Sequence, residues 1–318
     1  MVSIVTIFYN RAASVAESIT SLLTQEGADF EIIAIDDGST DDTLARLRAI
    51  TDPRLIVVPQ ANSGFTRAMN AAIALTRGRY IAVHGAGDIS LPTRIARQAA
   101  ILDARAEVGV VGCHVQNDAK IGSDSYVVRP PDALPFFQTL LERNLFTHGE
   151  VMFRSDVFNT VGGYREMFTF AQDRDLWLRI SRHTDYAIVP EVLYIRRRFA
   201  DGVSSDPHKL LLQAYASDFA VQLASAGGER DLLALYGPLA AFLRKKSPRL
   251  ARTIAWTGAR RMVMGDKVTG WSLVTTARAE CLTRQVAMIW LLGVTHRIPG
   301  VWSIARSVLA RRLQAFDR

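Results

Sequence analysis

Several groups of side chains in this 318-residue chain have the types and spacing to do chemistry. The densest follows a glycine pair. Gly162-Gly163-Tyr164-Arg165 leads through a short loop to Gln172-Asp173-Arg174-Asp175, with Leu176, Trp177, Leu178 and Arg179 behind. The two carboxylates open an amphipathic helix that places Leu176 and Ile180 on one face and Trp177 beside them. Stabilisation by the helix dipole is the ordinary use of an Asp in that position, and general acid–base work is the chemical one. Asp36-Asp37-Gly38-Ser39 closes an apolar run. A carboxylate there can accept the imide N–H of uracil, an N–H of guanine or a ribose hydroxyl, while an Asx turn with a helix cap uses the same residues. Phe8 and Tyr9 end the first apolar run, where Tyr9 can line a base pocket or simply pack. Asn62, Gly64 and Arg67 precede a helix N-terminus, whose N–H groups suit a phosphate or ribose; a plain turn is the alternative.

The elements that must position these residues are legible as alternating strands and helices. Val2 to Ile7, Ile32 to Ile35, Leu55 to Val58 and Tyr80 to Val83 read as buried parallel strands, each ending in a polar cluster. Ser14-Val15-Ala16-Glu17 has the capping-box pattern, ahead of Ile19, Leu22 and Leu23. Ser39 or Thr40 is placed to cap a helix with Leu44, Leu47 and Ile50. Thr66 to Leu75 and Arg94 to Leu102 are further helices, with Pro92 in the first turn of the latter. The order predicts a doubly wound α/β layer, in which ligands bind outside the carboxyl ends of the strands.

In order and spacing, Val2 to Asn10, Ile35-Asp-Asp-Gly-Ser-Thr-Asp41, Asn62-Ser-Gly64 with Asn70, Gly78-Arg-Tyr-Ile81, Gly87-Asp88 before Pro92, and the Gly162 to Arg179 run resemble the family 2 glycosyltransferases of the GT-A fold. The resemblance covers residues 1–205, which it implies form the catalytic domain: a Rossmann-like, mostly parallel sheet flanked by helices. It implies an inverting enzyme that moves a sugar from a nucleotide-diphosphate donor to a hydroxyl of a glycan or lipid-linked acceptor, in surface polysaccharide synthesis. Asp37, with Asp36 close by, is then assigned to the nucleotide, and Asp173 to the base that deprotonates the acceptor. The family reads Glu-Asp where this chain has Gln172-Asp173, so Gln172 is left to hydrogen-bond the acceptor. Asp175 competes for the base role from deeper in the helix. His148-Gly149-Glu150 resembles the acceptor-lining segment, which nominates His148 and Glu150; a buried strand histidine is the alternative. Tyr194-Ile195-Arg196-Arg197-Arg198 follows a predicted strand, Tyr186 to Val189, and a turn at Pro190. Consecutive arginines cannot all face one way, and Arg196 and Arg198 are the candidates to neutralise the leaving diphosphate. A solvated basic loop is the alternative.

One segment departs from the family. Asp-x-Asp-Asp is replaced by Gly85-Ala86-Gly87-Asp88. In the family these carboxylates hold a divalent metal against the donor phosphates. A hard ion needs only one or two carboxylates beside phosphate and water, so Asp88 with Mg²⁺ or Mn²⁺ is the expected metal site, weakened by the losses. Gly87 lets backbone approach the sugar closely. His84 reads as a satisfied pocket-edge histidine.

Composition bounds the remainder. Cys113 and Cys281 lack ligand spacing, and a reduced, cytoplasmic location is expected, without a signal peptide. The net charge of +7 is uneven: residues 201–318 hold 17 Lys and Arg against 8 Asp and Glu. Residues 206–318 are expected to form a helical C-terminal region over Leu210–Leu223, Arg230–Leu243, Pro248–Met264, Trp271–Leu292 and Val301–Phe316. Arg284, Arg297, Arg306, Arg311 and Arg312 flank apolar faces with Trp290 and Trp302, which suits either peripheral contact with the inner face of a membrane or a bundle packed on the catalytic domain or a homo-oligomer partner. No basic stripe interleaved with stacking aromatics points to nucleic acid. The Gln-x-x-Arg-Trp motif of processive synthases is absent. A sugar-nucleotide pyrophosphorylase would want a basic Gly-rich N-terminal loop, and a dinucleotide oxidoreductase a Gly-x-Gly-x-x-Gly; neither is present. A non-catalytic sugar-nucleotide or glycan-binding homologue is supported by the lost carboxylates and opposed by retention of Asp173.

Overall fold

The computed structural model describes residues 1–118, 125–132, 134–197, 199, 206–226 and 232–316. Its contacts divide the chain into two compact units, Met1–Gly202 and Val203–Arg318.

The first unit begins with the four predicted strands, β1 (Val2–Phe8), β2 (Phe30–Asp37), β3 (Leu55–Gln60) and β4 (Tyr80–Gly85), separated by α1 (Val15–Leu23), α2 (Thr43–Arg48) and α3 (Phe65–Ala74). β5 (Ile89–Ser90), α4 (Arg94–Ala104), β6 (Val108–Asn117), β7 (Tyr126–Val128), α5 (Phe136–Glu142), β8 (Met152–Arg154), α6 (Ser155–Thr160), α7 (Gln172–Ile180) and β9 (Asp185–Arg196) follow. One sheet runs β3-β2-β1-β4-β8-β6-β9-β5, with β7 beside β6. β1–β4, β6 and β9 run one way, and the short β5, β7 and β8 run against them. This is the expected mostly parallel α/β layer. Every residue of β1 and β2 is buried, which is why those segments read as apolar runs on both faces, with the buried Ser3, Thr6 and Glu31 as their polar interruptions.

Three local expectations fail for identifiable reasons. Ser14 makes no side-chain cap; a 3₁₀ turn, Ala12–Ser14, precedes α1, and Glu17 pairs with Arg197 instead of closing a capping box. Ser39 and Thr40 do not cap α2. Ser39 Oγ accepts the Asn10 N–H at 3.0 Å and the Thr40 N–H donates to Asn10 Oδ1 at 2.8 Å, tying the loop after β2 to the loop after β1. Pro190 is not a turn. It lies within β9, where the register against β6 jumps from Cys113↔Val189 to His114↔Val192. An irregularity of this kind tolerates a residue without an N–H.

The second unit holds α8 (Pro207–Ser225), α9 (Leu232–Tyr236), α10 (Pro248–Val263), α11 (Lys267–Glu280), α12 (Arg284–Val294) and α13 (Pro299–Phe316). The single helix expected over Trp271–Leu292 is two. Cys281 is extended, and the Thr283 hydroxyl caps α12 by accepting the Val286 N–H at 3.2 Å. The helix expected over Arg230–Leu243 is cut at Gly237-Pro238 and continues as a 3₁₀ turn. Ile254, Trp256, Met262, Val274, Ile289 and Trp302 share one core. Within it Arg244 binds Glu280 at 2.8 Å and Asp218 at 3.2 Å, so two buried carboxylates keep one cation. No helix among the described residues is long and apolar enough to cross a membrane.

Candidate functional site

The carboxyl ends of β1, β2 and β4 carry polar loops, as expected for a doubly wound sheet. Phe8 is wholly buried in the core. It is a packing residue, and the expectation that it meets a nucleotide is corrected. Tyr9, next to it, is 47% exposed and lies on the open side. Asn10 adopts φ 50°, a left-handed conformation that Asn tolerates, and this lets it bind the β2 loop.

Asp37 is held from several directions. Its Oδ1 accepts from Gln60 Nε2 at 2.7 Å and from the Ser63 N–H at 2.9 Å, and its Oδ2 accepts the Gly64 N–H at 3.1 Å. This carboxylate fixes the Asn62–Gly64 loop against the end of β2. Asp36 is equally buried, yet only its Oδ2 has a partner, the Ser39 N–H at 3.3 Å; its Oδ1 has none. Asn62 and Gly64 are exposed at the start of α3. Arg67 reaches Glu166 at 2.9 Å on the surface.

At the end of β4 the chain has rebuilt the segment where carboxylates were missing. Asp88 is turned inward. Its Oδ2 accepts from the Tyr194 hydroxyl at 2.6 Å and its Oδ1 from the Arg197 N–H at 2.8 Å. Burial pushes its carboxyl up to about 6, against the lowering pull of Tyr194, the Arg197 N–H, Arg196 and Arg197. The Tyr194 hydroxyl also accepts the Gly85 N–H at 2.9 Å. A Cβ at position 85 would overlap Asp88 Oδ2, and one at 87, where φ is +95°, would lie 2.6 Å from the Phe199 ring. The glycines therefore make room for the inward Asp88 and for Phe199. His84 is satisfied by Ser18 Oγ at 2.9 Å and Ser90 Oγ at 3.1 Å, and burial pushes it down to about 3, so it is a neutral structural histidine.

These facts test the expected metal site. Asp88 has both oxygens engaged by protein donors, and positions 85 and 87 cannot carry further ligands in this arrangement. Among the described residues no group of three or more His, Cys, Asp or Glu side chains is placed to hold a metal ion. Asp88 is the carboxylate left in this segment, and a Mg²⁺ or Mn²⁺ ion there would have to share it with the Tyr194 hydroxyl and the Arg197 N–H. Arg196 is half-buried and close enough to lower the Asp88 pKa, while its guanidinium makes no hydrogen bond or ion pair with a described residue. Arg198 lies outside the described residues.

The second cluster forms around the first turn of α7. Ala171, just before it, is buried with φ 54° and ψ 25°. A left-handed alanine costs about 1–2 kcal/mol, and strain of this sort points to a functional constraint. It swings Gln172 and Asp173 onto the partly exposed side of the turn. Asp173 Oδ2 accepts from Asn144 Nδ2 at 2.8 Å. His148 lies near it and shares a 2.7 Å hydrogen bond with the Tyr164 hydroxyl. Burial lowers the His148 pKa and the Asp173 charge partly opposes this; the same charge adds to burial in raising Tyr164. His148 sits in a 3₁₀ turn, His148–Glu150, and not on a strand.

Glu150 and Asp175, by contrast, are buried. Glu150 is fully buried and closes a capping box, its Oε1 accepting the Thr147 N–H at 2.8 Å. Burial pushes it up to about 8, and its Oε2 has no partner. It cannot touch an acceptor, and that expectation is corrected. Asp175 is buried between Arg179 at 2.8 Å and Arg165 at 3.3 Å. Arg179 in turn donates to the carbonyls of Val161 at 2.6 Å and Gly163 at 2.7 Å. Asp175 thus anchors the glycine-pair loop to α7. Tyr194 and Asn144 were missed in the sequence. A tyrosine in an apolar strand and an asparagine in a loop carry no signal of their own.

The chain matches the family model described as glycosyl transferase family 2 over residues 3–162. It is 30% identical over 187 residues to the putative glycosyltransferase EpsE of Bacillus subtilis, covering 56% of this chain and 66% of that one. It is 35% identical over 162 residues to the succinoglycan biosynthesis protein ExoO of Rhizobium meliloti, covering 49% of this chain and 44% of that one. These alignments thus span two thirds or less of either relative. A crystal structure of S. aureus TarS 1-349 in complex with UDP-GlcNAc is similar with TM-score 0.58 at 15% identity, over 93% of this chain and 91% of that one. The mannosyltransferase PcManGT from Pyrobaculum calidifontis, in complex with GDP-Man and Mn²⁺, is similar with TM-score 0.56 at 20% identity, over 96% of this chain and 86% of that one. Those likenesses bear out the GT-A fold, and the model match, over half of the chain, places this protein in glycosyl transferase family 2.

Proposed function

We propose that this protein transfers a sugar, with inversion, from a nucleotide-diphosphate donor to a hydroxyl of a glycan or lipid-linked glycan in polysaccharide synthesis. The observation that carries the reading is Asp173. It stands partly exposed on a strained helix start, with a single amide partner from a described side chain, beside the His148–Tyr164 pair. Asp173 takes the proton of the acceptor hydroxyl as that oxygen forms its bond to the anomeric carbon. The bond from that carbon to the phosphate oxygen breaks on the opposite side, and the diphosphate leaves with the electron pair. Gln172, His148 and Asn144 orient the acceptor and the base.

The nucleotide lies over Tyr9, Asp36 and the Asn62–Gly64 loop, where Asp36 Oδ1 is a buried acceptor without a donor. Asp37 shapes that loop. Arg196 meets the diphosphate, supplying charge beside the glycine segment. The solved neighbours with UDP-GlcNAc and with GDP-Man support a sugar-nucleotide donor. ExoO supports polysaccharide synthesis as the setting.

The test is calorimetric titration with UDP, GDP, dTDP, CDP and their sugars, with Mn²⁺ and with EDTA. Binding of one nucleotide class is expected, unchanged by EDTA. No binding by any of them would overturn the donor reading and favour the non-catalytic homologue.

A further inference from the structure

The helical unit was expected to offer Trp290 and Trp302 to a membrane, and it does not. Trp302 is 6% exposed, and Trp290 packs against the same core under the Arg278 guanidinium, 4.2 Å from its ring centroid. The apolar residues left outside are different ones. α13 is apolar on two faces. Trp302, Ala305, Leu309 and Leu313 face the core, while Val301, Ile304 and Val308 stand exposed at helical spacing on another side. Ile304 is 71% exposed. Leu291 and Val294 of α12 and Ile298 at the start of α13 are also exposed. A helix that keeps a second apolar stripe in water is unusual unless something covers it.

The charges say what covers it. Residues 281–316 contain Arg284, Arg297, Arg306, Arg311 and Arg312, and no Asp or Glu. Arg297, Arg311 and Arg312 are exposed. Arg311 and Arg312 follow Val308 by three and four residues, so they continue the same side of α13. An apolar stripe whose own two helices carry arginines and no carboxylate is complementary to an anionic, oil-backed surface. It is unsuited to a second copy of itself, because the two sets of arginines would repel. The other occupant, a bilayer crossing, is unavailable to helices of this length.

We propose that the exposed α12–α13 face, centred on Val301, Ile304 and Val308, docks on the surface of an anionic lipid bilayer. The apolar stripe enters the headgroup boundary, and Arg297, Arg311 and Arg312 meet lipid phosphates. This stands independently of the donor and acceptor assignments.

The experiment is cosedimentation of the full chain with phosphatidylcholine vesicles and with vesicles also containing phosphatidylglycerol. Binding to the mixed vesicles and not to the neutral ones is expected. Arg311→Ala with Arg312→Ala should weaken it about ten-fold or more, and Ile304→Glu with Val308→Glu should abolish it. These side chains are exposed, so circular dichroism and melting should be unchanged in both variants. Equal binding to neutral vesicles, or none to either, overturns the proposal. So does a dimer in sedimentation velocity that Ile304→Glu with Val308→Glu dissociates, which would give the face to a second copy.

Discussion

The sheet edge at β2 and β4 and the first turn of α7 both carry acidic residues, but in opposite states of satisfaction. At the sheet edge Asp37 and Asp88 are buried and engaged through both oxygens by donors from the chain. They organise loops. At α7 the carboxylates divide within one turn: Asp175 is locked between arginines, while Asp173 is partly exposed with Asn144 as its described partner. A carboxylate that must accept a proton needs unfilled lone pairs and access. One that holds a fold needs neither. Position near the site therefore says less about a role than the number of donors already present.

That contrast can be broken by exchanging the two roles. Asp173→Asn should lower turnover by about 10²–10⁴-fold, while thermal melting stays close to the parent; full retained turnover would remove Asp173 from the chemistry. Asp175→Asn should behave the other way. It leaves Arg179 and Arg165 without their buried partner and should cost about 3–5 kcal/mol in denaturant titration. An unchanged transition midpoint would show that the glycine-pair loop is held by other contacts.

Glu150 sharpens the comparison through pH. Its native pKa, about 8, lies above the ordinary 4.5. Between those values the native state binds more protons than the unfolded chain, so stability from this group falls as pH rises. Glu150→Gln should match the parent near the lower end and be more stable by about 1–3 kcal/mol above the upper end. Parallel melting curves across that window would refute a protonated Glu150. The smallest effect belongs to Arg67→Ala. Its exposed pair with Glu166 should contribute under about 1 kcal/mol, so any larger loss in nucleotide affinity, measured by titration, would mark Arg67 as a ligand contact.

β1, β2 and β4 were legible because a parallel strand buried on both faces has no alternation to obscure it; β3, expected to be buried as well, is an edge strand without a buried residue, and its apolar run alone gave it away. β6 was not legible, since Gly109 and Gly112 interrupt its apolar run and β9 completes it only in three dimensions. In the site, residue types located the loops correctly but not the direction of their side chains. Asp88 looked like an open ligand because nothing in the sequence announces that Tyr194, over a hundred residues away, turns it inward. Gly87 was expected to admit a sugar, and the space it leaves is filled by Phe199 of the same unit. Glu150 looked available until burial and the Thr147 N–H accounted for it.

The irregularity at Pro190 has a consequence for how this site can change over evolutionary time. Beyond it, alternate residues of β9 share a side, so Tyr194 and Arg196 belong to one set and Ile195 and Arg197 to the other. Loss of a single residue at the irregularity would shift the frame of the strand's tail without altering one codon there. Asp88 would then meet an isoleucine in place of a phenol. The spacing around Pro190 thus acts as a phase setting, and relatives with other spacings at this point should carry a different partner for the residue that occupies position 88.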